Sequence, residues 1–167
     1  MAERLHGLAP VVGAGTKVLI VGSFPSVSSL AQQQYYAHPR NQLWPIVAAL
    51  WPQVPQPQDY AARCDWLVAR GLGLWDVYGA CEREGSLDSA IRQPQLNDFA
   101  ALQARCPQLL AVAHNGGESF RHAKTMQAAL GLPVHRLPST SPAHAAWSFE
   151  RKLEGWREVM GTYALLG

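Results

Sequence analysis

A chain of 167 residues that is 48% hydrophobic can bury one good core and is too short for two comfortable ones, so a single domain spanning residues 1–167 is expected. The formal charge of +2 permits contact with nucleic acid without requiring it, and Cys64, Cys81 and Cys106 are too scattered for a zinc cage and too few for a four-cysteine iron–sulfur cluster. The N-terminus has no apolar h-region and no apolar run approaches membrane-spanning length, which predicts a soluble cytoplasmic protein with reduced thiols and no metal.

In chain order, residues 17–22 (KVLIVG) form a continuous apolar run ended by glycine, the pattern of a strand covered on both faces in a parallel sheet. Residues 41–50 read as a helix with Asn41 at the N-cap and Pro45 confined to the first turn, where a missing N–H is tolerated. Three prolines make 51–58 a linker within the domain. A helix over 59–70 should stop at Gly71, and a second strand follows over 73–78. The polar stretch 81–95 suggests no element; Asn97 should cap a helix that runs to Arg105 and stops before Pro107. Residues 108–114 read as a third strand, 117–130 as one helix ended by Gly131, and 134–137 as a short fourth strand. Behind a cap at Ser148, apolar residues at Phe149, Leu153, Trp156, Met160 and Tyr163 define the core stripe of a last helix. The alternation predicts a three-layer α/β/α fold around a central, mostly parallel four-stranded sheet.

Ligands of open parallel sheets bind outside the carboxyl ends of the strands, so the segments after each predicted strand should converge on one crevice. Those segments carry Gly22-Ser23-Phe24-Pro25-Ser26, Trp75-Asp76, His114-Asn115-Gly116 and Pro138-Ser139-Thr140-Ser141-Pro142. Serine and proline there hold backbone in fixed turns whose N–H groups and hydroxyls suit phosphate oxygens. A serine hydrolase elbow is absent, and Gly13-Ala14-Gly15-Thr16-Lys17 precedes its strand, which excludes a P-loop.

Gly22-Ser23-Phe24-Pro25-Ser26, Tyr35-Tyr36-Ala37-His38-Pro39-Arg40-Asn41-Gln42-Leu43-Trp44, Leu74-Trp75-Asp76-Val77 and Leu137-Pro138-Ser139-Thr140-Ser141-Pro142-Ala143 together resemble the uracil-DNA glycosylase superfamily, most closely its hypoxanthine-DNA (deoxyinosine) branch. The similarity covers about residues 17–160. It implies a monomeric repair enzyme, without cofactor, that hydrolyses the N-glycosidic bond of a deaminated base in DNA after the base has left the stack. Uracil enzymes of this superfamily commonly carry Asp or Asn where Phe24 stands, and often a histidine where Leu137 stands. Neither replacement can position a water or donate a hydrogen bond. Asn41 is the polar residue left within the specific run, and resemblance to the hypoxanthine branch implies that it is catalytic, orienting water or stabilising the transition state, with His38 a donor to the base anion or to phosphate.

Phe24 is expected to stack on the base and the Asp76 carboxylate to accept from the N–H of hypoxanthine, with Ser23, Tyr36 and Asn115 completing the base pocket. Pro25, Ser26, Arg40, Ser139, Ser141 and His144 are the expected DNA contacts, His144 standing where close relatives would carry asparagine. Two alternatives stay open: a uracil-preferring or broad-specificity glycosylase of the same fold, and a non-catalytic DNA-binding module derived from it.

Overall fold

The run Val18–Gly22 is buried along its whole length, and this explains why it contains no polar residue. In the computed structural model, which describes residues 3–166, it forms the second strand; residues 1, 2 and 167, the ends of the expected domain, lie outside the described part. The elements run β1 (Arg4–His6), β2 (Val18–Gly22), α1 (Val27–Gln32), α2 (Leu43–Leu50), α3 (Tyr60–Ala69), β3 (Leu72–Asp76), β4 (Tyr78–Glu82), a 3₁₀ turn (Asp88–Ala90), β5 (Arg92–Leu96), α4 (Phe99–Arg105), β6 (Ala111–Asn115), α5 (Gly117–Phe120), α6 (Ala123–Leu130), β7 (Val134–Leu137) and α7 (Phe149–Thr162). Strands β3, β2, β6 and β7 lie side by side in that order, every pair parallel.

Alternation along the pleat divides the core in two. Val18 and Ile20 point to one face, under Leu43, Ile46 and Val47 of α2, Leu67 of α3 and Trp156 and Met160 of α7. Leu19 and Val21 point to the other, against Phe99 and Leu102 of α4 and Met126 and Leu130 of α6. Helices therefore cover both faces of the parallel sheet, the expected three-layer arrangement. Caps at Asp59 and Ser148 accept from the Ala62 and Arg151 amides, and Gly71 takes the positive φ of 87° that ends the α3 turn without a Cβ clash.

Besides β1 and α1, for which the sequence reading has no element, and β6, which is shifted to Ala111–Asn115, five features differ from it. The second strand ends at Asp76, and after Val77 the chain enters a second, antiparallel sheet of order β1-β4-β5. The stretch read as elementless therefore contains β5, whose residues are all exposed; Pro94 is tolerated because β5 is an edge strand. Residues 117–130 form two helices, because the turn at Arg121–His122 tightens to an i→i+3 bond from the His122 amide to Ser119. Helix α4 is capped by Asp98, not Asn97: the Asn97 Nδ2 instead donates to the Asp76 carbonyl at 2.8 Å, clamping the end of β3. Finally, α2 starts at Leu43, and Asn41 stands just ahead of the Gln42 cap, its Oδ1 accepting from the Leu43 amide at 2.9 Å.

Candidate active site

Outside the carboxyl ends of the parallel strands lies a cavity of about 390 Å³, within the range of small-ligand sites, which spans roughly 300–1,000 Å³. Its wall is assembled from Gly22 to Ser26 after β2, Asp76 at the tip of β3, Asn115 at the tip of β6 and Ser139 to Ala143 after β7. Tyr36, His38 and Asn41 close it from the segment before α2, and residues 86–89 from the second sheet. Of the expected site residues, Ser23, Phe24, Pro25, Ser26, Tyr36, His38, Asn41, Asp76, Asn115, Ser139 and Ser141 all line this one space. Arg40 and His144 do not line it: Arg40 is exposed, and His144 packs its ring 5.9 Å from that of Trp147.

Two residues at adjacent strand tips set the floor. Strand register pairs Gly22 with Asp76, and a Cβ on Gly22 would stand 2.6 Å from Asp76 Oδ1 and 3.0 Å from the Tyr36 hydroxyl, so only glycine lets all three meet. Asp76 is 5% exposed, and its Oδ2 has no hydrogen-bond partner among the described residues. Burial, helped by the negative charge of Asp88 and opposed by Arg83, pushes its carboxyl up to about 7. Tyr36 adopts a φ of 54°, a left-handed conformation costly for a bulky side chain, and burial raises its phenol above the ordinary range.

Asn41 has a dual position. Its Oδ1 is fixed by the start of α2, so the helix cap expected of asparagine survives in part; its Nδ2 has no partner among the described residues and the side chain lines the cavity. His38 accepts the Arg40 amide at Nδ1, 3.1 Å away, which in the neutral imidazole places the proton on Nε2. Phe24 is both core and wall: it is 7% exposed, packs into the second core cluster, and carries the Arg83 guanidinium carbon 5.2 Å from its ring centroid.

Asn115 spends its carboxamide on the scaffold. Nδ2 donates to Thr140 Oγ1 at 2.9 Å and to the Tyr36 hydroxyl at 3.3 Å, while Oδ1 accepts the Thr140 amide at 3.0 Å. Ser26 likewise caps α1 by accepting the Ser29 amide. Three residues not singled out in the sequence complete this frame. Thr140, 1% exposed, is the hub: its carbonyl accepts the Gln42 amide at 3.0 Å, and the Gln42 side chain accepts from the buried Lys152 of α7 at 2.8 Å. Asp88 arrives from the second sheet to accept from Ser23 Oγ at 2.6 Å. Thr140 lies inside the Leu137-Pro138-Ser139-Thr140-Ser141-Pro142-Ala143 motif, which signals it; Lys152 and Asp88 carry no local signal. Among the described residues no cluster of His, Cys, Asp or Glu is placed to hold a metal ion, and no helix is long and apolar enough to cross a membrane.

The family model of the uracil DNA glycosylase superfamily matches residues 9–159. The chain belongs to that superfamily. Its relatives include the protein named hypoxanthine DNA glycosylase from Methanosarcina barkeri, 34% identical over 156 residues, which cover 93% of this chain and 98% of the relative. A protein of the same name from Methanosarcina acetivorans is 35% identical over 154 residues, 92% and 96% of the two chains. A solution NMR structure of a protein provisionally described as a uracil DNA glycosylase, also from Methanosarcina acetivorans, superposes with a TM-score of 0.83 at 33% identity, covering 97% of this chain and 99% of the other. The matched segment of the superfamily contains every residue assigned above to the cavity wall.

Proposed function

We propose that this superfamily member is a DNA glycosylase that hydrolyses the N-glycosidic bond of deaminated bases, with hypoxanthine the main substrate. Base excision requires the nucleotide to leave the duplex, and the cavity at the sheet tips offers room for an extruded base. Phe24 and Tyr36 supply aromatic surface to receive it. Proteins 34% and 35% identical to this chain carry the name hypoxanthine DNA glycosylase, and this motivates the choice of base.

The observation that carries the reading is the placement of Asn41. Its carboxamide is held by the Leu43 amide, so it meets a substrate already oriented, with the amino group and a second carbonyl lone pair unspent. An amide of this kind accepts from an attacking water and donates to sugar or base, but does not ionise, so its contribution is alignment and charge stabilisation. Cleavage breaks the C1′–N bond, its electron pair leaves with the base, and water supplies oxygen to C1′. His38 contributes an Nε2 proton donor at the same wall, fixed by its Nδ1 bond to the Arg40 amide.

Duplex oligonucleotides bearing deoxyinosine, deoxyuridine or deoxyxanthosine, treated with purified protein and then alkali, test this directly, with chromatography of the freed base. Cutting of the deoxyinosine strand with release of hypoxanthine is expected. Preferential cutting at deoxyuridine would select the uracil reading, and intact strands throughout, with DNA bound, the non-catalytic one.

A further inference from the structure

The departing base takes the electron pair of the broken bond, so negative charge develops inside the cavity and must be met there. No lysine or arginine lines that space among the described residues. Its titratable lining groups are His38, Tyr35, Tyr36, Asp76 and Asp88, and the nearby guanidinium of Arg83 is buried behind Phe24 and Pro25. An ionised Asp76 at the cavity floor would repel the leaving anion. A neutral Asp76 would be a donor, and the surroundings of this side chain favour that form: it is 5% exposed and, among the described residues, makes no ion pair and has one oxygen without a partner.

We propose that Asp76 is the acid of this site, meeting the extruded base as a neutral carboxyl and passing its proton to the base as the glycosidic bond breaks. This rests on the glycosylase reading above. The step balances without a co-reactant. The C1′–N bond breaks with its pair on the base, the Asp76 O–H bond breaks with its proton going to a base acceptor atom, and a neutral base departs. Water adds to C1′, its proton leaves to solvent, and the Asp76 carboxylate is reprotonated from solvent for the next turnover.

The geometry accounts for the protonated form from every side that packs on Asp76. Gly22 of β2 brings bare backbone against Oδ1, and the Tyr36 hydroxyl from the preceding loop is neutral, as is the Tyr35 phenol behind it. Asp88 from the 3₁₀ turn adds a negative charge, and Arg83, just after β4, is the one opposing cation among the described residues. These groups hold the carboxyl at about 7, so it is protonated in acid and lost as a donor above neutrality.

Single-turnover excision of deoxyinosine by the wild-type chain should therefore be level near pH 6 and fall about thirtyfold by pH 8.5. Asp76→Asn, which offers an N–H but no transferable proton, should be at least about tenfold slower at pH 6 and level across the same window. A wild-type rate that stays flat or rises with pH, or an Asp76→Asn rate that declines as the wild type does, overturns the proposal while leaving the glycosylase reading intact. A carboxyl ¹³C NMR titration of the free protein tests the acid independently of turnover. A midpoint near neutrality supports it, and one below about 5 refutes it even if excision is never seen.

Discussion

Replacing Asp76 by asparagine should stabilise the fold in mild alkali and do much less in mild acid. The carboxyl is raised from an ordinary 3.8 to about 7 in the folded chain, so the native state holds this proton more tightly than the unfolded one. The sign follows from proton linkage: stability is greatest below the unfolded value, declines as pH rises between the two, and levels off above the folded value. Integrated over that interval the loss is roughly 4 kcal/mol, of which about two-thirds falls between pH 5 and pH 8. Asparagine has nearly the same shape and no proton to lose. Its stability should escape the decline.

Urea denaturation of both proteins at pH 5 and pH 8 measures this as a difference of differences, in which the other titrating groups cancel. The gap should move in favour of Asp76→Asn by roughly 3 kcal/mol, a little under a third of the total stability at the middle of the usual range for a domain. A gap that is the same at both pH values would mean that Asp76 is already ionised in the folded chain at pH 5. The burial argument for its protonation would then be wrong.

Gly22→Ala should nearly abolish excision, because its Cβ would lie 2.6 Å from Asp76 Oδ1 and 3.0 Å from the Tyr36 hydroxyl; single-turnover rates and thermal melts should show activity lost before structure. Asn115→Ala leaves the Thr140 amide and hydroxyl without the partner that ties β6 to the last loop, and should cost about 1–3 kcal/mol in urea melts together with a drop in excision rate. Phe24→Leu removes an aromatic face and should weaken binding of a deoxyinosine duplex by roughly 1–3 kcal/mol in fluorescence anisotropy, with little change on undamaged duplex.

The legibility of this chain follows how each element is stabilised. A strand buried on both faces announces itself, since water is excluded from every position: the apolar run 17–22 marks β2, whose five residues are all buried. β5 has no such signature because its residues are all exposed and it is held by pairing with β4, a contact that leaves no periodicity in the sequence. The rule that sites form at strand tips placed Ser23, Asp76, Asn115 and Ser139 on one cavity. It could not place Asp88, 65 residues from its partner Ser23, because that contact depends on how the second sheet folds over the first. Nor does a lysine within the last helix reveal that it is 2% exposed beneath the Asn41–Gln42 turn.

The proposed chemistry turns on a fixed carboxamide at the cavity wall, so the most direct test compares catalysis with binding in Asn41→Ala. Single-turnover excision of deoxyinosine should fall by about 100-fold or more, the loss typical of one preorganised transition-state donor, while duplex affinity stays within about threefold of wild type. A rate within about tenfold of wild type, or a loss matched by an equal loss of affinity, would contradict the assignment of Asn41 to the chemical step.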